Sequence, residues 1–217
     1  MDWDWGYVAD ITPRLLDGFR LTLIATALIF ALSAALGLVI AILRRSSVKA
    51  VAYPTYGVAE FIRRTPELVQ LYFVFYVLPQ YQITLGALTA GVIALGIHYS
   101  TYAAEIYRGG IEAVPRGQWD ASTSLALPPR RVWTKIILPQ AFPRFLPALG
   151  SLLILQFKQT ALLAAITVQE LLASAQQIGS ETFDYVEPLI MAGFFYFVIS
   201  YVASFGIRAL ERRVKPA

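Results

Sequence analysis

The chain contains no cysteine. That excludes a disulfide framework and any metal held by thiolates. It contains one histidine, His98, and a single histidine within an apolar helix reads as a hydrogen-bonded packing residue. No HExxH or paired-aspartate motif suggests a metal, and no serine, histidine and acid are spaced for nucleophilic catalysis. The phosphate loop G-x-x-x-x-G-K-[ST] is absent too, so no nucleotide site is expected on this chain. Charge is scarce: 15% of residues are Asp, Glu, Lys or Arg, against about 25% in a soluble domain. There is no internal repeat and no low-complexity tract. The first twenty residues are polar and acidic (Asp2, Asp4, Asp10, Asp17). The apolar run behind them is too long for a signal h-region, so no cleavable signal is expected.

What is present is apolar length. The mean hydropathy is +0.59 over 217 residues. Leu21–Leu43 and Pro188–Ile207 carry no charged residue at all, and a spanning helix needs about 20 predominantly apolar residues. The sequence therefore predicts an all-α, polytopic membrane protein with five spans, near 20–43, 53–78, 85–107, 145–169 and 186–208. The second is untidy, with Glu60, Arg63, Arg64 and Glu67 inside it.

Positive charge falls on alternate connections. RRSSVK follows the first span. Arg108, Arg116, Arg130, Arg131, Lys135 and Arg144 lie between the third and fourth, and Arg208, Arg212, Arg213 and Lys215 follow the fifth. The connection PQYQIT has no positive charge, and the one holding Glu181 and Asp184 has none either. The bias of Lys and Arg toward the cytoplasm places the N-terminus outside and the C-terminus in the cytoplasm. The net charge of +4 then reflects cytoplasmic anchoring and contact with membrane lipid, not nucleic acid.

The segment 109–144 interrupts the membrane pattern. Glu112–Leu127 suits a short helix stopped by Pro128 and Pro129. A second helix can run from Arg130 to about Leu138, with Val132, Trp133, Ile136 and Ile137 on one face. Two readings suit this elbow: an amphipathic helix on the membrane surface, or a docking element for a soluble partner.

The same segment resembles the coupling loop of permease subunits of ATP-binding-cassette (ABC) importers, whose pattern is EAA, three residues, Gly, nine residues, Ile-x-Leu-Pro. Asp120-Ala121-Ser122 stands at EAA, Ala126 at the glycine, and Ile136, Leu138 and Pro139 at the closing positions, with Gly117 and Trp119 just before. TYAAEIYRGGIEAVPRGQ, IILPQAFP and FIRRTPELVQLYFVFYVLP resemble the branch that handles polar amino acids. The resemblance covers most of the chain and implies one type 1 transmembrane domain over 1–217. It implies a second permease subunit, identical or related, and an extracytoplasmic substrate-binding protein. It also implies a separate ATP-binding cassette subunit, which would hold the ATP and magnesium, with no cofactor on this chain.

Ionisable groups inside spans are functional candidates by default. Arg63, Arg64 and Thr65 precede Pro66, where freed backbone is tolerated only if buried or lining a cavity. An arginine there could clamp a substrate carboxylate, or pair with Glu60 or Glu67. Arg63 matches the family's usual arginine, whereas Arg64 replaces a small residue. Glu105 could receive a substrate ammonium or pair with Arg108 or Arg63. Tyr99 and Tyr102 could offer ring faces to a cation, or simply pack. Lys158-Gln159-Thr160-Ala161 stands where the family commonly has Lys-Asp-Thr-Ser. The amide in place of the acid points away from a lysine or arginine substrate, toward a glutamine-like amino acid or a zwitterionic compatible solute such as ectoine. Pro139, Pro143 and Pro147 predict a bent entry into the fourth span. The function expected is an importer permease. The alternatives are a membrane scaffold that docks a non-ATPase partner and, less supported, an intramembrane enzyme.

Overall fold

The computed structural model describes residues 3–214; Asp2 and Lys215, both counted above, lie outside the described residues. All regular structure among the described residues is helical. The first helix, α1 (Trp5–Arg44), starts well before the expected span. Its cap is Asp4, whose side chain accepts from the Gly6 and Tyr7 amides at 2.8 and 3.1 Å. The polar-looking early residues are amphipathic. Val8, Ile11, Leu15 and Gly18 recur at three- and four-residue intervals and are buried.

The expected second span is not one helix. α2 (Lys49–Arg64) ends at Thr65, whose backbone is extended, and α3 (Glu67–Tyr72) restarts after Pro66. A residue before proline is driven out of the helical region, which explains the break. The chain then widens into a π turn over Phe73–Val77 and tightens over Leu78–Tyr81. α4 (Ala87–Glu112) follows as a continuous rod and makes the most extensive helix contact in the fold, with α1. Small residues allow it. A Cβ on Gly37 would come within 2.5 Å of the Ala103 Cβ and 2.8 Å of the Ser100 carbonyl oxygen, so the two backbones nearly touch.

α5 (Arg116–Ser124) forms the arm of the elbow. The separate second elbow helix expected from the sequence is absent. A helical turn at Pro129–Arg131 (α6) and a π turn over Val132–Ile137 run straight into α7 (Leu138–Gln159). The three prolines fall where this rod needs no donor or can bend, so it is continued rather than broken.

After a tight turn, Thr160–Ile166, and Thr167 in the left-handed region (φ 68°), the chain forms α8 (Leu171–Thr182). The sequence places this stretch in an outside connection. Glu170, fully buried, explains why it is helical. Its carboxylate caps α8 by accepting from the Ala173 amide at 2.8 Å, and also accepts from the Tyr196 hydroxyl at 2.6 Å. Thr22 of α1 accepts from the Leu171 amide at 3.1 Å, so α1, α8 and the last helix, α9 (Val186–Val214), meet at one buried polar node. Beyond it, Arg14 pairs with Glu181 at 2.7 Å, and that hydrogen bond holds the Glu181 carboxyl below the usual carboxylate range.

Among the described residues, three helical stretches are long and apolar enough to cross a membrane: Trp5–Arg44, Pro129–Ile166 and Val186–Arg212. Large apolar side chains are exposed along them. Phe194, Phe197, Tyr201 and Phe205 of α9 are each at least half open, or nearly so, as a lipid-facing surface would be.

Candidate functional site

Two sites emerge, one among the helices and one at the elbow. The first begins at Pro66. A proline has no N–H, so the Ile62 carbonyl loses the donor it would have had in an unbroken helix. Gln70 replaces it: its amide nitrogen donates to the Ile62 oxygen at 2.7 Å and to Thr65 Oγ1 at 2.6 Å. The Gln70 carbonyl oxygen lies 3.3 Å from His98 Nδ1. His98 Nε2 lies 3.8 Å from the Glu67 carboxylate, whose other oxygen accepts from Gln159 Nε2 at 3.0 Å. The rings of Tyr99 and Tyr102 stand 5.0 and 5.4 Å from the His98 ring and 5.9 Å from each other. The helix break thus gathers Glu67, Gln70, His98, Tyr99, Tyr102 and Gln159 from α3, α4 and α7. His98 is 3% exposed and Glu67 is 29% exposed, so the carboxylate, unlike the imidazole, stays partly open.

Other candidates lie elsewhere. Arg63 pairs with Glu60 and, at 3.3 Å, with Glu105. Glu105 also meets Arg44 at 2.5 Å and Arg108 at 2.7 Å. These charges form a closed network, the pairing alternative left open by the sequence. Arg64 pairs with Glu60 at 2.9 Å and is otherwise largely exposed. Lys158 is exposed, and Thr160 is buried with its hydroxyl donating to the Phe157 carbonyl at 2.7 Å. The sequence analysis gave no binding role to Glu67, Gln70 or His98, which the structure brings into this cluster. The signal was there: Glu67 and Gln70 follow the proline one and four positions on, so they sit where the break frees backbone.

The second site is the elbow. Trp119 of α5 meets Trp133 edge to face, with ring centres 5.4 Å apart. Arg45, just past α1, lies over both rings at 5.8 and 5.3 Å. Gln118 and Gln140 are joined at 3.3 Å, and Arg144 donates to the Ala113 carbonyl. Val132, Trp133 and Ile136 pack against the main core and Ile137 is fully buried. The apolar face of Val132, Trp133, Ile136 and Ile137 is therefore covered by the chain itself. Gly117, Asp120, Ala121 and Ala126 are exposed, whereas Ser122 is buried. Pro139 is exposed and Leu138 is 40% exposed.

A helical membrane protein with a braced elbow outside the spans and a polar cluster within them is built as a transport subunit. The chain belongs to the family described as the binding-protein-dependent transport system inner membrane component, which it matches over residues 19–216. It is a permease subunit of the ABC importer class, located in the inner membrane. It is 45% identical to the "Probable amino-acid ABC transporter permease protein y4tG" of Sinorhizobium fredii, over 96% of this chain and 93% of that one. It is 35% identical to the L-cystine transport system permease protein TcyB of Bacillus subtilis, over 93% and 87%. Its fold matches a solved amino acid ABC transporter, described as being with histidines, at a TM-score of 0.93 and 37% identity, covering 98% of this chain and all of the other. The scaffold alternative is set aside by these findings.

Proposed function

We propose that this chain carries a polar amino acid or similar zwitterion into the cytoplasm by alternating access, driven by ATP hydrolysis on a separate subunit. The observation that carries the reading is the partly open Glu67 carboxylate set among Gln159, His98 and two tyrosine rings. Glu67 receives the substrate ammonium, with the ring faces of Tyr99 and Tyr102 beside it. The amide of Gln159 supplies a donor for the carboxylate end, while the buried His98 braces the cluster between Gln70 and Glu67. Glu67 also changes the argument from residue 159. The amide there does not leave the site without an acid, so a cationic side chain is not disfavoured on that ground.

The five crossings are α1, α2 with α3, α4, α7 and α9, with the N-terminus outside and the elbow in the cytoplasm. Five helices are few for enclosing a pathway, so two permeases, identical or related, face each other across it. An extracytoplasmic binding protein delivers the substrate. The ATP-binding cassette subunit holds ATP and magnesium and docks on Gly117, Asp120, Ala121 and Ala126. Its closure moves the elbow, which is strapped to α1 through Arg45 and to the end of α4 through Arg144. Substrate shifts the equilibrium only through unequal affinity for the two states.

The test is purification with co-expressed ATPase and binding protein, followed by uptake of labelled amino acids into proteoliposomes. Support requires ATP-dependent uptake that falls about tenfold or more in Glu67→Ala, and loss of the ATPase from Asp120 or Trp119 variants. An intact complex that transports normally without Glu67 would overturn the assignment of the site. Failure of any ATPase to co-purify would overturn the coupling.

A further inference from the structure

A groove of about 810 Å³ opens between the end of α1, the end of α4 and the start of α7. We propose that it binds one anionic phospholipid, with an acyl chain along its apolar walls and the phosphate on Arg45. Leu38 and Ile42 of α1 form one wall, Phe142, Phe145 and Leu149 of α7 the other, and Ile111 of α4 lies between. Leu38 and Ile42 share one face of α1 by their spacing, with Arg45 just past its end, as Leu138, Phe142, Phe145 and Leu149 share one on α7. From Leu138 to Leu149 the helix rises roughly 16 Å. That is the depth of one leaflet, half of a hydrocarbon core of about 30 Å.

The charge stands at one end only. Arg44 is neutralised by Glu105 at 2.5 Å. Arg45 is exposed and, among the described residues, has no carboxylate partner; it rests on the faces of Trp119 and Trp133. Face contact leaves the N–H groups at the edge of the guanidinium free, and these are the donors that grip a phosphate. A basic residue at the headgroup level of an apolar slot between membrane helices is the arrangement that retains an anionic lipid. A free phosphate ion would use Arg45 and leave the slot empty. A lipid uses both. Because Arg45 also touches both tryptophans of the elbow, the bound lipid would tie the end of α1 to the coupling arm.

The experiment is native mass spectrometry of the purified complex containing this chain, with phosphatidylglycerol or phosphatidylcholine of identical acyl chains added. The expected result is preferential retention of one phosphatidylglycerol per copy. Retention should fall roughly fivefold in Arg45→Gln, fall less in Arg45→Lys, which keeps the charge but not the stacked fork, and fall in Leu38→Trp, which fills the slot. Excess inorganic phosphate should not displace the lipid. Equal retention of the two lipids, an unaltered Arg45→Gln, or displacement by phosphate would each overturn the proposal. So would a cysteine placed at Phe142 that cross-links to its counterpart in a second copy, since the slot would then be an interface between chains. None of these readouts depends on transport, so the outcome is separable from the substrate reading.

Discussion

At the scale of single residues, one carboxylate holds three arginines. Glu105 is 22% exposed and meets Arg44, Arg63 and Arg108. Removing it leaves three cations crowded with only Glu60 and Glu112 to answer them. Glu105→Ala should therefore destabilise the chain, by about 1–3 kcal/mol, the cost of stranding a partly buried charged partner. The measurement is the thermal midpoint of the detergent-solubilised complex, alongside substrate affinity. A lowered midpoint with unchanged affinity in the surviving protein fits a structural network. Unchanged stability with lost affinity would move Glu105 into the substrate site. Glu67 differs in kind. It has one amide donor, Gln159, a neighbouring histidine and a side chain that stays 29% open. The contrast between two carboxylates in the same bundle separates a strut from the group proposed to meet substrate, and spacing alone could not make it, since both lie among arginines and tyrosines in the sequence.

At the scale of elements, α5 ends in a motif its sequence only half specifies. The Leu127 amide donates to the Ser122 carbonyl at 3.1 Å and the Ala126 amide to the Thr123 carbonyl at 2.9 Å. This is a Schellman ending, which favours glycine at its left-handed position; here Ala126 occupies it at φ 46°. Ala126→Gly removes about 1 kcal/mol of Cβ strain, partly offset by the entropy of glycine in the unfolded chain. Amides of α5 should exchange with deuterium more slowly in that variant; faster exchange would contradict the account. The α1–α4 seam works in the opposite sense. Gly37→Val places methyl groups where Ala103 and the Ser100 carbonyl already sit, and should lower the thermal midpoint by several degrees or prevent assembly. An unaltered midpoint would show that the helices separate freely. The long apolar rods were readable because uncharged length is a direct signal of lipid exposure, and the elbow was readable through its prolines and motif spacing. α8 was not. Its helix depends on Glu170 capping it while buried between Thr22 and Tyr196, contacts 148 and 26 residues distant along the chain. The merger of the second elbow helix into α7 was hidden for a related reason. Pro139 looks like a stop, but the preceding π turn absorbs the missing donor and lets the rod continue.

At the scale of the whole molecule, the absence of cysteine makes topology directly measurable. Any single cysteine introduced at an exposed site is the only thiol in the chain, so labelling by a membrane-impermeant maleimide reports one position without background. Three sites serve. Gln82 follows the tight turn after α3, Asp184 lies between α8 and α9, and Ser124 ends α5. Gln82→Cys and Asp184→Cys lie on connections without positive charge and should react in intact cells or right-side-out vesicles. Ser124→Cys lies on the basic elbow and should react only after the membrane is opened or inverted. Glu67→Cys adds a fourth reading: a thiol in the pathway between α3, α4 and α7 should change reactivity when ATP is added, because alternating access opens that site to one side at a time. The pattern must be consistent as a set, since five crossings place Gln82 and Asp184 together and Ser124 opposite. If Ser124→Cys labelled from outside, the elbow could not meet a cytoplasmic ATPase. If Gln82→Cys and Asp184→Cys fell on opposite sides, an odd number of crossings would separate them, and α8 would have to count as part of a sixth span.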